Sequence, residues 1–265
     1  MFRRRFVRTF GLMTLAVGSL SLAVAQEPKP EPKADAPALI PSPFRAFVVT
    51  DRRYKKPTAK DQAAAKPGET PGEDIGEDDP RNRASKMHDL VTDNALNPVV
   101  AIFSRVPPTA NGTPTPELVK LAASVNELAN DREFRAARLS SFIIFLTLGK
   151  EYPEAETRDE ATKDTKAFDA VLKAQAKARN DELQKQAKDR GVAEPLEYRF
   201  IVPLALAPGK SDAVTAWNID EKAAVTVVFY REMKAIETWK LDKPPTDDDV
   251  KKITAAVEKE LRAKK

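Results

Sequence analysis

Hydrophobic positions along this chain follow two different periods. Val99 to Phe103 and Phe142 to Leu146 are unbroken apolar runs, the pattern of strands buried on both faces. Between them, Leu118, Leu121, Ala122, Val125, Leu128 and Ala129 recur at helical spacing. Thr115 is placed to cap that helix, and Pro116 suits its first turn. Strand, helix, strand in this order predicts a right-handed βαβ unit in a largely parallel sheet.

The same reading extends outward. Phe44 to Val49 is a first strand candidate, and Ala84 to Thr92 reads as a short helix with Met87, Leu90 and Val91 on one face. Ser104 to Thr115 reads as a polar turn, and Gly149 to Thr165 as a charged loop. Lys166 to Lys188 has high helix propensity and a thin apolar stripe, so a surface helix ending near Gly191 is expected. Tyr198 to Leu206 is strand-like but contains Pro203, which predicts an edge strand or an early stop. Ala224 to Tyr230 and Ala235 to Leu241 form a hairpin pattern across a tight connection. Thr246 caps a last helix with Asp247, Asp248 and Asp249 at its positive end and Val250, Ile253, Val257 and Leu261 on its apolar face.

Two stretches lack any period. Gln26 to Pro43 is rich in Pro, Lys, Glu and Ala, a composition for an extended linker. Asp51 to Arg83 carries four prolines, three glycines and the acidic run Glu73 to Asp79, and predicts a long mobile insertion. Its acids lack the spacing of an EF-hand loop, so a solvated acidic face is expected and no metal site.

The amino terminus alters how the charge is read. Arg3, Arg4, Arg5 and Arg8 precede an apolar run from Gly11 to Val24 and an Ala23-Val24-Ala25 cleavage pattern, so residues 1–25 are expected to be an export signal. The arginines fit a twin-arginine signal as well as an ordinary one. The whole chain has 44 basic and 40 acidic residues, and the leader holds four of the basic ones, so the exported remainder is balanced. Nucleic-acid binding is therefore not expected, nor any membrane span after cleavage, and the destination is the periplasm or the exterior.

The 265 residues include no cysteine and a single histidine, His88. One imidazole without further ligands makes no metal site, and His88 is expected on a helix surface. No G-x-S-x-G elbow, phosphate loop or dinucleotide fingerprint occurs, and no cofactor is expected.

The segments NPVVAIFSRVPP, LSSFIIFLT and AAVTVVFYREMKAIETWKL, in this order across residues 97–262, resemble the thioredoxin superfamily. The likeness is to its exported thiol-disulfide reductase and peroxiredoxin-like branch. It implies an α/β fold with a central mixed sheet flanked by helices, a long N-terminal insertion and a central helical insertion. It also implies that redox cysteines would fall at Ser104 to Pro108, and a cis-proline at Ala223-Ala224-Val225. Neither is there. Thiol-disulfide exchange needs a thiolate, so that activity is excluded.

What the resemblance leaves is a recognition edge at Ser104, Arg105, Val106 and Pro107, and an exported, non-catalytic module that binds a protein or peptide. An exposed apolar patch beside Ser104–Pro108 would mark such an edge. Two other readings stay open. One is an enzyme of non-thiol chemistry, with Ser104 as nucleophile and Arg105 as anion holder. The other is a structural protein of the cell envelope.

Overall fold

The computed structural model describes residues 39–41, 43–51, 82–94, 96–135, 137–149, 155–191 and 198–263. They lie within one compact unit spanning Pro37–Lys265. The expected leader, the acidic run and nearly all of the 51–83 insertion fall outside the described residues, as does the linker before Leu39.

A seven-stranded mixed sheet forms the centre. Its strands in chain order are β1 (Arg45–Thr50), β2 (Lys86–Asp89), β3 (Val99–Ser104), β6 (Ser140–Leu148), β7 (Leu204–Pro208), β8 (Val225–Arg231) and β9 (Lys234–Leu241). Across the sheet they run β2-β1-β7-β6-β3-β8-β9. β3, β6 and β7 are parallel, and β8 and β9 return antiparallel beside β3. A two-stranded hairpin, β4 (Thr109–Ala110) with β5 (Thr113–Pro114), stands apart in the connection after β3.

Five helices accompany the sheet among the described residues: α1 (Pro116–Asn130), α2 (Arg132–Arg135), α3 (Ala155–Asp189), α4 (Asp212–Ala216) and α5 (Asp247–Arg262). The continuous apolar runs are explained by burial on both faces. On one face Val100, Ile102, Ile143, Phe145, Val227 and Phe229 pack under α1, α3 and α5. On the other, Val99, Ala101, Phe103, Phe142, Ile144 and Tyr230 pack under α4 and the segments around Phe44 and Leu90. That second cover is thin, and aromatic rings fill it: Phe103 lies 5.1 Å from both Phe44 and Trp217, and Trp217 lies 6.0 Å from Tyr230.

The structure corrects four sequence expectations. Residues 84–92 are not a helix. Lys86–Asp89 pairs antiparallel with β1, Arg45 opposite Asp89, because so short a segment cannot repay helix nucleation while the edge of β1 offers a ladder. α3 begins at Ala155, eleven residues before the expected start, and runs for 35 residues. β7 starts only after Pro203 and is an interior strand, held between β1 and β6. The connection after β3 holds the β4–β5 hairpin, which turns on Asn111-Gly112, both at positive φ. Thr246 caps α5 as expected, and the cap is a full capping box, with Asp249 N–H donating to Thr246 Oγ1 at 3.2 Å and Thr246 N–H to Asp249 Oδ2 at 2.9 Å.

The β8–β9 connection is a two-residue turn, and both Glu232 and Met233 have positive φ (51° and 60°). Such turns favour Asn-Gly. Met233 is half-buried, whereas Glu232 is exposed. Glu232→Asn is therefore expected to stabilise the protein by about 0.5–1 kcal/mol, read as a higher urea midpoint at unchanged slope.

Candidate functional site

The expected recognition edge lies where β3 ends. Ser104 is the last residue of the strand, in register with Phe145 and Val225, and is wholly buried. Its hydroxyl donates to the Val106 carbonyl at 2.8 Å, closing its own turn. The Arg105 N–H donates to the Ala224 carbonyl at 2.8 Å, so the β3–β8 pairing continues one step past both strands.

The Arg105 side chain crosses the top of the sheet. Nη1 donates to the Gly209 carbonyl at 2.8 Å and Nε to the Asp220 carbonyl at 3.2 Å. Gly209 has to be glycine here, since a Cβ would stand 2.9 Å from the Leu146 carbonyl and 3.3 Å from Nη1. Nη2 is buried and has no hydrogen-bond partner among the described residues. Val106 is half-buried against the core and Pro107 is exposed. Thr115 sits at the N-cap of α1, but its hydroxyl donates to the Pro107 carbonyl at 2.9 Å and makes no cap bond.

The four residues are thus together, on a stretch pinned by backbone bonds. Among the described residues the exposed large hydrophobic side chains are Leu39, Met87 and Leu96, none of them beside Ser104–Pro108. His88 is on the outermost strand, β2, with Nε2 2.6 Å from Asp93 Oδ2. Four strand steps separate β2 from β3, and the Ser104 hydroxyl is already committed, so the two do not form a nucleophile–base pair. No cluster of three or more metal-ligating side chains occurs among the described residues, and no helix there is long and apolar enough to cross a membrane.

Sequence reading missed a second feature, a set of asparagines between α1 and α3. Residues 198–201 run outside the sheet without regular secondary structure. Asn180 accepts from Tyr198 N–H and donates to its carbonyl, both at 2.6 Å. Asn126, fully buried, accepts from Ile201 N–H and donates to the Arg199 carbonyl, both at 2.9 Å. Asn130 adds a bond to the same carbonyl at 2.8 Å. Side-chain amides here replace a strand ladder. The only sequence trace is polar residues interrupting an apolar stripe on α1.

Beside this strap lies a trough of about 600 Å³ between α1 and α3, walled by apolar side chains that include Val119, Ala123, Leu172, Ala176 and Phe200. Arg179, Glu127 and Lys120 stand at its rim.

No protein-family model matches the chain, and no curated protein does. Solved structures of similar shape include copper-bound ScoI of Arabidopsis thaliana, at a TM-score of 0.40 and 12% identity over 84% of this chain and 99% of that one. An uncharacterized conserved protein of Geobacillus kaustophilus matches at 0.40 and 14% identity, over 86% of this chain and 82% of its own. The bacterioferritin comigratory protein of Xanthomonas campestris matches at 0.36 and 13%, over 67% and 87%. The topology itself carries the assignment: a β3–α1–β6 parallel unit, an antiparallel β8–β9 hairpin beside β3, and a closing helix on the face of α1. This chain has a thioredoxin-like fold, with α3 and β7 inserted in its middle and no cysteine anywhere in its sequence.

Proposed function

We propose that this protein is an exported, non-catalytic binding module that holds a protein or peptide at the edge formed by Ser104, Arg105, Val106 and Pro107. The carrying observation is that this edge is rigidly built although the residues for thiol chemistry are missing. Arg105 is bonded to two carbonyls from separate loops, Gly209 and Asp220, and the loop through Pro107 is fastened to Thr115. A fixed loop loses little freedom when a partner docks. Pro107 gives that edge an exposed apolar element, and the Arg105 guanidinium braces it from within. The arginine-rich leader supports export, and the balanced charge of the remainder supports a protein partner over a nucleic acid.

Affinity capture from the exported fraction tests this reading. Pro107→Glu changes an exposed residue and Arg105→Glu a bracing one, and each is expected to lose the captured partner while circular dichroism stays native. Capture of the same partners by both variants would remove the edge from consideration. Thiol-disulfide reductase assays are expected to match the blank.

A further inference from the structure

The trough between α1 and α3 is distinct from the edge at Ser104. Its volume of about 600 Å³ falls within the range of small-molecule sites. Leu172 and Phe200 are almost fully buried along it, and the small side chains of Ala123 and Ala176 keep it deep. Two helices with so apolar a gap would normally close on one another, because unfilled apolar space forfeits dispersion contacts. The strap at 198–201 prevents this. Asn126 and Asn130 from α1 and Asn180 from α3 all bond its backbone, so it sets the distance between the helices.

The rim offers a guanidinium to an anion: Lys120, Arg179 and Glu127 are among the residues lining the trough. Arg179 reaches Glu127 only at 3.7 Å and Glu182 at 3.1 Å, and all three side chains are well exposed. Lys120 pairs with Asp247, again between exposed side chains. Exposed pairs of this kind contribute little to stability, so an incoming anion can take over the guanidinium at little cost. Arg also offers a two-pronged donor set matched to a carboxylate. The Tyr198 phenol, on the wall, is held above its ordinary range by burial and so stays a neutral hydroxyl.

We propose that this trough binds an amphiphilic monocarboxylate, its apolar body lying between Ala123 and Ala176 and its carboxylate on Arg179. A cationic or a neutral amphiphile has no carboxylate to seat on Arg179 and would gain only the apolar part. The site needs no residue of the Ser104 edge.

Titration of the purified full chain with dodecanoate, below its micelle concentration and followed by calorimetry, tests the proposal. Saturable binding of one molecule per chain is expected. Arg179→Gln, at an exposed position, is expected to weaken it about tenfold, the effect of one charge-assisted contact. Ala176→Phe fills the trough and is expected to abolish binding. Ala123→Met is a second filling change at a half-buried wall position, should the first lower the melting temperature. Absence of saturable binding overturns the proposal. So does undiminished binding in a folded trough-filling variant, and so does equal affinity for dodecyltrimethylammonium or for dodecanol.

Discussion

Arg83→Met is expected to lower the unfolding free energy by about 3–5 kcal/mol, the usual cost of breaking a buried ion pair from one side. Asp51 follows directly on β1, and its side chain is only 1% exposed. Its carboxylate accepts from Arg83 N–H at 3.1 Å, Nε at 2.7 Å and Nη2 at 2.6 Å. Nη1 of the same guanidinium reaches Asp93 Oδ2 at 2.7 Å, and that oxygen also holds His88. Ser85 N–H then donates to the Val48 carbonyl and leads the chain into β2. The pair therefore clasps the base of the β1–β2 connection. Methionine keeps the bulk of the stem but removes the three donors that Arg83 directs at Asp51 or its neighbour Asp93 through its guanidinium. Asp51→Leu combined with Arg83→Met removes both charges, so the double variant is expected to lose less than the sum of the single ones. Urea unfolding of the four proteins forms a double-mutant cycle that reads this directly. Equal and additive small losses would mean that the clasp is a surface pair.

Asn126→Leu carries the second large expectation, a loss of about 2–4 kcal/mol. Leucine matches the shape of asparagine, so little packing is lost. The Arg199 carbonyl keeps its bond from Asn130. Ile201 N–H, however, loses its partner, and a buried donor left unsatisfied costs about 1–3 kcal/mol in addition to the lost bonds. The change should also free the strap locally. Hydrogen exchange is the discriminating readout: the amides of Tyr198 and Ile201 are expected to lose protection in the variant, while those of β3 and β6 fall only by the global change in stability. Unchanged exchange at Ile201 would show that the amides do not hold the strap.

The periodic elements were legible before the structure, and the reason is local. Val99 to Phe103 in β3 and Phe142 to Leu146 in β6 are apolar throughout because both faces of the sheet are covered there, and α1 and α5 keep their stripes at helical spacing. The capping box of α5 lies within four residues. The four edge residues, Ser104 to Pro107, are consecutive and follow a recognisable strand, so their place in the fold could be anticipated.

Side-chain commitments at that edge were another matter. Arg105 reaches Gly209 and Asp220, 104 and 115 residues away, and no local pattern announces such partners. β2 illustrates the same limit. Lys86 to Asp89 has no strong strand pattern, and its ladder on β1 is fixed by Asp51 and Arg83, 32 residues apart. Asn126 reads as an interruption in an apolar stripe until α3 and the strap are beside it.

By itself, then, the amino-acid sequence determined the order of the buried strands and amphipathic helices around β3. It also determined that no thiolate is available, because both follow from residue type and short-range periodicity. Only the tertiary structure decided where the buried polar groups spend their bonds: the Arg83 clasp, the Arg105 brace, the asparagine strap and the trough it holds open. Those depend on groups brought together from distant parts of the chain, where burial makes each unpaired donor or charge costly enough to select one partner.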